Sequence, residues 1–166
     1  MPTNSEAAFE GHPDVYAAWG QLNTAIKEGM DLRRYELATL AAARRLGSSY
    51  CSLAHGKVLL ERFGEPVVEI ARDRRSAGLD DLDLAVMDLA EKGVDDATSV
   101  DERDLDRLRG LGLSDREIMD VVLAAAARCF FSKTLDALCV LPDARYDELA
   151  PELRAALVVG RPIAGR

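Results

Sequence analysis

Two residues with nucleophilic and proton-accepting side chains lie one helical turn apart in this sequence. Cys51 and His55 are separated by three residues, and Gly47 and Ser48 precede the segment that contains them. If Ser48 is the N-cap of a helix, Cys51 lies in its first turn, where free backbone N–H groups and the helix dipole favour an anion. A thiol in such a position tends to have a lowered pKa, and the thiolate is the nucleophile. The pattern therefore predicts an activated cysteine at position 51.

The same region supplies a base and a group to orient it. His55 lies on the same helix face as Cys51 and can take the thiol proton directly or through one water. Glu36 precedes His55 by nineteen positions, on the preceding predicted helix. If the two helices form a hairpin, the carboxylate would fix the imidazole tautomer, as in other nucleophile–base–acid sites. A chance Cys-x3-His pair on a structural helix is the alternative. A metal site is disfavoured, because this pair gives two ligands where zinc needs three or four.

Helices must position these residues, since apolar side chains recur with helical spacing along nearly all of the chain. Glycine, proline and capping residues divide the pattern into predicted helices at about 15–29, 32–46, 49–63, 82–93, 115–138 and 146–158, with capping boxes at Ser99/Glu102 and Ser114/Glu117. No segment alternates as a strand does. We expect an all-α domain of six to eight helices over residues 13–159. Residues 1–12 and 160–166 are predicted tails that pack, if anywhere, on a neighbouring subunit.

Composition limits the classes of function. The 166 residues include 21 Lys and Arg against 29 Asp and Glu, a net charge of -8, which argues against nucleic acid and anionic membranes as partners. The most apolar stretch, Val121–Ala127, is far shorter than the ~20 residues of a membrane span. The start has no signal-peptide pattern and the three cysteines are an odd number, so we expect a cytoplasmic protein without disulfides. The sequence contains no nucleotide-binding glycine pattern, so we expect no flavin or nicotinamide cofactor.

The segment 35–56 resembles the core signature of the alkylhydroperoxidase D-like (AhpD-like) and carboxymuconolactone decarboxylase family. In the peroxidase members of that family, Glu is followed after eleven residues by Cys-x-x-Cys, and after three more by His. Glu36, Ser48, Cys51 and His55 reproduce this spacing, with serine in place of the first cysteine. The resemblance implies that Cys51 is the nucleophile, His55 its general base and Glu36 the group that orients the base.

Two further features resemble the family. Tyr50 occupies a position that is often aromatic or histidine, where contact with substrate is expected, and the segment 108–118 with the apolar helix after it is similar to the peroxidase-related branch. The resemblance covers about residues 15–145. It implies an AhpD-like helical fold, assembly as a dimer, trimer or hexamer, and thiol-dependent reduction of small hydroperoxides with a thiol reductant as the second substrate. The helix over 121–131, apolar over most of its circumference, agrees with burial in the domain centre or against another subunit.

Ser48 is the departure from the family pattern. In AhpD-like peroxidases the second cysteine attacks the substrate. The first cysteine then reacts with the oxidised second cysteine, and the two form an intramolecular disulfide. Ser48 can relay a proton or cap the helix but cannot form that disulfide. A sulfenic acid on Cys51 would therefore be resolved by an external thiol, or by Cys129 or Cys139. Both of these cysteines lie among apolar residues, which predicts core positions for them.

Two alternatives to a peroxidase stay open at this point. A decarboxylase or lactone-processing member of the same family needs no cysteine pair, although Cys51 would then have no role. A non-catalytic oligomeric binding protein would retain the fold and a relic of the site. Consumption of peroxide with a thiol reductant distinguishes the peroxidase from both alternatives, and an aromatic or lactone ligand would favour the decarboxylase.

Overall fold

The computed structural model describes residues 2–165, and this part of the chain is all-helical, without a strand. Nine α-helices lie within it: α1 (Asn4–Ala8), α2 (Pro13–Gly29), α3 (Leu32–Arg45), α4 (Ser49–Phe63), α5 (Val67–Asp73), α6 (Asp81–Asp96), α7 (Glu102–Gly110), α8 (Asp115–Ala137) and α9 (Pro151–Leu157). Two 3-10 turns, Ala97–Ser99 and Ala144–Glu148, connect them. The predicted all-α AhpD-like class is confirmed, but the predicted number of six to eight helices is too low for residues 2–165. The helices absent from the prediction, α1 and α5, have five and seven residues, too few to show an apolar period.

Helix α3 is the centre of the fold. Every side chain from Tyr35 to Ala43 is buried, and the helix packs against α4, α6 and α8. Small residues, among them Ala38 and Ala42, let the neighbouring helices approach closely, and three apolar clusters surround it. Burial of such clusters is the main favourable term in the stability of the fold. Because α3 carries Glu36 inside this core, the acid predicted to serve the site is fixed by packing on all sides.

The helix ends follow the sequence signals with three corrections. The capping box at Ser114 and Glu117 is present. The box predicted at Ser99 is wrong, because α7 is capped by Asp101, whose carboxylate accepts from the first turn. Gly93 does not end α6, which continues to Asp96. The last predicted helix is divided by Pro151, which begins α9 after a separate 3-10 turn.

The described parts of the predicted tails, residues 2–12 and 160–165, contact the rest of the same chain. Phe9, after α1, is buried and stacks on Phe131 with ring centroids 6.1 Å apart. At the other end, the Gly160 N–H donates to Ser49 Oγ at 2.8 Å, and a Cβ at Gly160 would lie 2.0 Å from the Gly47 carbonyl oxygen. Single aromatic and backbone contacts of this kind leave no periodic signal in sequence. Both ends therefore close over the region where α4 begins.

Helix α8 has a buried face and an exposed apolar face. Val121, Ala124 and Phe131 are buried, whereas four large apolar side chains are between 39% and 57% exposed: Met119, Val122, Leu123 and Phe130. The helix was predicted to be buried over most of its circumference. Within this subunit, one face of it is buried and the other apolar face is exposed. No helix in residues 2–165 has the length and hydropathy needed to cross a membrane.

Candidate active site

The turn between α3 and α4 places Cys51 as the sequence predicts. Gly47 follows the end of α3 with a φ of 71°, a left-handed conformation that suits glycine. Ser48 is the N-cap residue of α4. Cys51 is therefore the third residue of the helix, and it is 1% exposed. The predicted capping by the Ser48 side chain is wrong: its hydroxyl is buried without a hydrogen-bond partner.

Glu36 and His55 meet across the α3–α4 hairpin. Their Oε2 and Nδ1 atoms are 2.6 Å apart, and the second carboxylate oxygen lies 3.2 Å from Lys27 Nζ on α2. Burial raises the pKa of Glu36, but the hydrogen bond from His55 and the charge of Lys27 outweigh it, so the pKa is lowered. Glu36 is thus a buried, ionised carboxylate that accepts from two donors. The predicted contact of Glu36 with the imidazole is present.

The other side of the imidazole faces Arg128, a residue of α8. Arg128 Nη1 lies 3.2 Å from His55 Nε2. Because a guanidinium donates only, Nε2 must accept, which assigns the imidazole proton to Nδ1, where it points at Glu36. Burial lowers the pKa of His55; the hydrogen bond to Glu36 opposes this and the charge of Arg128 adds to it. The ring is therefore a neutral imidazole of defined tautomer at neutral pH.

Arg128 also reaches the thiol. Its Nη1 is 3.7 Å from Cys51 Sγ, so the guanidinium bridges the cysteine and the histidine. In the described residues Cys51 and His55 share no hydrogen bond, so the predicted direct transfer between them is not the resting arrangement. The arginine is held by Asn23 Oδ1 at 3.0 Å and by the Trp19 ring, whose centroid is 4.9 Å from Cζ. Both of these residues belong to α2, which covers the site.

Tyr50 is buried next to Cys51, and its hydroxyl is used in holding the N-terminal segment. It donates to Asp143 Oδ2 at 2.8 Å and lies 3.0 Å from Ser5 Oγ. Burial, together with the hydrogen bond to the Asp143 carboxylate, raises the pKa of Tyr50 to about 12. These contacts give Tyr50 a structural part, and its contact with substrate stays a prediction.

The remaining two cysteines differ from expectation. Cys139 is exposed and follows the end of α8 with a φ of 58°, while Cys129 is half-buried. The prediction that both are core residues is therefore wrong. Cys139 lies in a turn whose left-handed backbone takes the side chain out of the apolar helix face.

Arg128, Asn23 and Lys27 were absent from the sequence prediction. They come from other helices, and Arg128 lies 73 positions from His55, so no local spacing marks it. One signal was available: Arg128 is a charge between Ala124–Ala127 and Phe130–Phe131, within the Ala-rich apolar stretch of α8. A charged residue is almost never buried without a partner, so its presence there indicates a function. Within residues 2–165, no cluster of three or more His, Cys, Asp or Glu side chains is arranged to hold a metal ion.

Comparison with known proteins agrees with this architecture. Residues 13–92, which include Glu36, Cys51 and His55, match the model of the Carboxymuconolactone decarboxylase family. A peroxidase-related protein from Ralstonia eutropha JMP134, described as an alkylhydroperoxidase AhpD core, superposes with a TM-score of 0.80 at 21% identity, covering 88% of this chain and 80% of its own. A peroxidase-related protein from Silicibacter sp. TM1040 gives 0.74 at 22% identity, with 80% and 72% covered.

A third similar structure carries a different activity in its name. The debrominase Bmp8, as a cysteine-to-alanine variant in complex with 2,3,4-tribromopyrrole, has a TM-score of 0.73 at 15% identity, covering 95% of this chain and 82% of its own. No curated protein matches the sequence significantly. At these identities the structures show the fold alone. The chain thus has the AhpD-like fold, and its residues 13–92 match the model of the Carboxymuconolactone decarboxylase family.

Proposed function

We propose that this protein is a thiol-dependent peroxidase that reduces small hydroperoxides through Cys51. The observation that supports it is the position of the thiol: first turn of α4, 1% exposed, and 3.7 Å from a buried guanidinium. Helix N-terminus and cation both stabilise negative charge on sulphur, which is the nucleophilic form. The Glu36–His55 pair next to it provides a neutral base of fixed tautomer.

The proposed reaction oxidises sulphur by two electrons. Cys51 Sγ attacks the outer oxygen of the hydroperoxide; the S–O bond forms as the O–O bond breaks, leaving a sulfenic acid and an alcohol. The thiol proton ends on the departing alkoxide oxygen. The lone pair on His55 Nε2 accepts this proton in transit, and at rest the same lone pair accepts a hydrogen bond from Arg128 Nη1. Proton transfer to His55 therefore requires Arg128 to direct its donor at the sulphur as the thiolate forms.

An external thiol completes the proposed cycle. One thiol displaces water from the Cys51 sulfenic acid to give a mixed disulfide, and a second thiol releases Cys51 and forms the external disulfide. Ser48, at the position of the resolving cysteine in the family's peroxidases, cannot do this. Cytoplasmic thiols would serve as the reductant. The exposed apolar face of α8 is the surface that a homo-oligomer of this chain would bury.

The test is peroxide consumption with dithiothreitol as reductant. Wild-type protein should consume a small organic hydroperoxide over many turnovers, and Cys51→Ser should fall to the rate without protein. Cys139→Ser is the matched control, because it removes an exposed thiol instead of the buried one and should keep the wild-type rate. Equal rates for wild type and Cys51→Ser would reject the proposal.

Removal of halogen from a small ring is a second candidate for the same thiol. The debrominase fold covers 95% of this chain, and Trp19 and Phe131 form aromatic surroundings for Arg128 beside Cys51. Bromide release from a brominated pyrrole, with dithiothreitol present, would favour this activity over peroxide reduction. If both assays are blank, a lactone or decarboxylation substrate, or a non-catalytic binding role, becomes the better explanation.

A further inference from the structure

A polar cavity of about 290 Å³ lies between α3, α5 and α6, and neither Cys51 nor His55 lines it. Two acids, Asp73 and Glu91, are in its wall. The wall also contains four arginines: Arg44, Arg72, Arg74 and Arg75. Because the whole chain has a net charge of -8, this excess of arginines over acids reverses the sign of the charge locally. A concave surface of one sign concentrates ions of the opposite sign, so this arginine cavity favours an anion.

Two of the four arginines have no acidic partner. Arg74 and Arg75 are both paired with acidic side chains of α6. Within residues 2–165, Arg44 forms no ion pair, and Arg72 is exposed and forms none either. The Asp73 carboxylate accepts the backbone N–H of Arg75 at 3.1 Å and pairs with neither of them. The positive charge left unbalanced in the arginine cavity is therefore that of Arg44 and Arg72.

Arg44 is held in place by groups that carry no full charge. It lies half-buried in the last turn of α3, and its two terminal nitrogens donate to the carbonyl oxygens of Ala71 and Ala156. These carbonyls lie in the last turns of α5 and α9, seven-residue helices whose partial negative ends offset only part of a guanidinium charge. Burial lowers the pKa of Arg44, and the charge of Glu91 opposes this shift. A guanidinium has more donors than these two bonds use, so oriented N–H groups and an unbalanced charge remain for a ligand.

We propose that the arginine cavity binds a phosphorylated small molecule, with the phosphate between Arg44 and Arg72. The two arginines come from different helices, α3 and α5. A phosphate presents oxygens in several directions and can accept from both, whereas the two oxygens of a carboxylate match a single guanidinium. A phosphate dianion also balances two unpaired cations. This site is independent of the chemistry proposed for Cys51.

A second cavity offers space for the rest of such a molecule. It has a volume of about 320 Å³, and it shares Arg44, Ala71 and Arg72 with the arginine cavity. Together the two cavities have the size of a small-ligand site. The wall of the second cavity includes Glu152, whose carboxylate can accept hydrogen bonds from hydroxyl groups. The ligand that we expect is therefore a phosphate ester that carries hydroxyl groups.

Calorimetric titration at constant ionic strength tests the site. The probes are inorganic phosphate, glycerol 3-phosphate and ribose 5-phosphate, and the controls are acetate, glycerol and ribose. At least one phosphate ester should bind one-to-one with saturation. It should also raise the thermal midpoint, because a ligand that binds the folded state alone stabilises it. The unphosphorylated controls should do neither.

Variants of single arginines locate the binding. Arg72→Met should weaken the phosphate ester about tenfold or more, the loss that accompanies removal of a charged hydrogen bond. Arg116→Met removes an exposed arginine of α8 that lines neither cavity, and should bind as wild type does. Arg44→Met should weaken binding at least as much as Arg72→Met. If Arg44→Met does not fold, because it also loses its bonds to α5 and α9, Arg72→Met at its exposed position carries the test.

Three results would overturn the site. These are no saturable binding of any of the three phosphates, equal affinities in Arg72→Met and Arg116→Met, and competition by acetate as strong as that by inorganic phosphate. The last would indicate a general attraction of anions. Cys51→Ser should bind the ester as wild type does, because Cys51 does not line the cavity. A wild-type protein that binds the ester but consumes no peroxide would support this site and reject the peroxidase.

Discussion

Replacement of Glu36 by glutamine tests the hydrogen bonds that hold His55. The carboxylate gives one oxygen to His55 Nδ1 at 2.6 Å and the other to Lys27 Nζ at 3.2 Å. Glutamine has nearly the same volume, but it has one acceptor oxygen, and its other end donates. Either Lys27 loses its acceptor or the histidine must change tautomer. A changed tautomer would place an Nε2–H against the donor of Arg128, so we expect His55 to keep its bond and Lys27 to lose its own.

The magnitude follows from these contacts. The Lys27 side chain is 38% exposed, so Nζ can turn to water at small cost. The main loss is the charge assistance in the His55 bond, the difference between about 1.5–3 kcal/mol for a charged and about 0.5–1.5 kcal/mol for a neutral hydrogen bond. We expect Glu36→Gln to lower the free energy of unfolding by about 1–2 kcal/mol. For a chain of this size, that corresponds to a fall in Tm of roughly 2–8 °C.

Urea unfolding of a double-mutant cycle measures the effect. Lys27→Met removes the second donor, so the loss in the double variant should be smaller than the sum of the two single losses. Nitrogen NMR shifts of the imidazole report its tautomer, and should show Nδ1–H in wild type and in Glu36→Gln. Wild-type stability for Glu36→Gln, or strictly additive losses, would refute this account of the Glu36 contacts.

Two further predictions concern Ser48 and the pH dependence of stability. Ser48→Cys should form a 48–51 disulfide on peroxide treatment and gain dithiol-driven turnover, seen as lost free thiols and a faster peroxidase assay; oxidation without faster turnover would favour a repurposed site. Ser48→Ala should change stability by less than about 0.5 kcal/mol in denaturation, because the cap bond that would cost about 1 kcal/mol is missing. Since the folded pKa of His55 is lowered, the unfolded chain takes up a proton first as pH falls below about 6.5. The free energy of unfolding should therefore drop below that pH and level off under the folded pKa; His55→Gln should remove the drop and His12→Gln, at an exposed position, should not.

The part of the site that is local in sequence was predictable. Cys51 and His55 share one helix, and the turn at Gly47 that begins this helix is marked by residue type, so helical geometry fixes their relation. The contact of Glu36 with His55 was predicted from the antiparallel packing of two consecutive helices. The length of the α3–α4 connection, three residues between Arg45 and Ser49, leaves few other arrangements.

The rest depended on packing between distant helices. Arg128 and Asn23 are 105 positions apart and meet at the thiol because α2 and α8 cross there. No rule of spacing connects such residues. Ser48 shows that a correct position does not guarantee a contact. It is the N-cap residue of α4, as predicted, but its hydroxyl does not make the capping hydrogen bond to the first turn. Position in an element follows from local sequence, whereas side-chain partners depend on what else packs there.

The central claim is that Cys51 is the reacting group, and direct identification of the oxidised cysteine tests it. One equivalent of hydroperoxide is added with a dione that traps sulfenic acids, and peptides are mapped by mass spectrometry. We predict that the adduct forms on Cys51, although it is buried, and that exposed Cys139 stays reduced over the same time. An adduct first on Cys139, or equal labelling of Cys51, Cys129 and Cys139, would contradict the account.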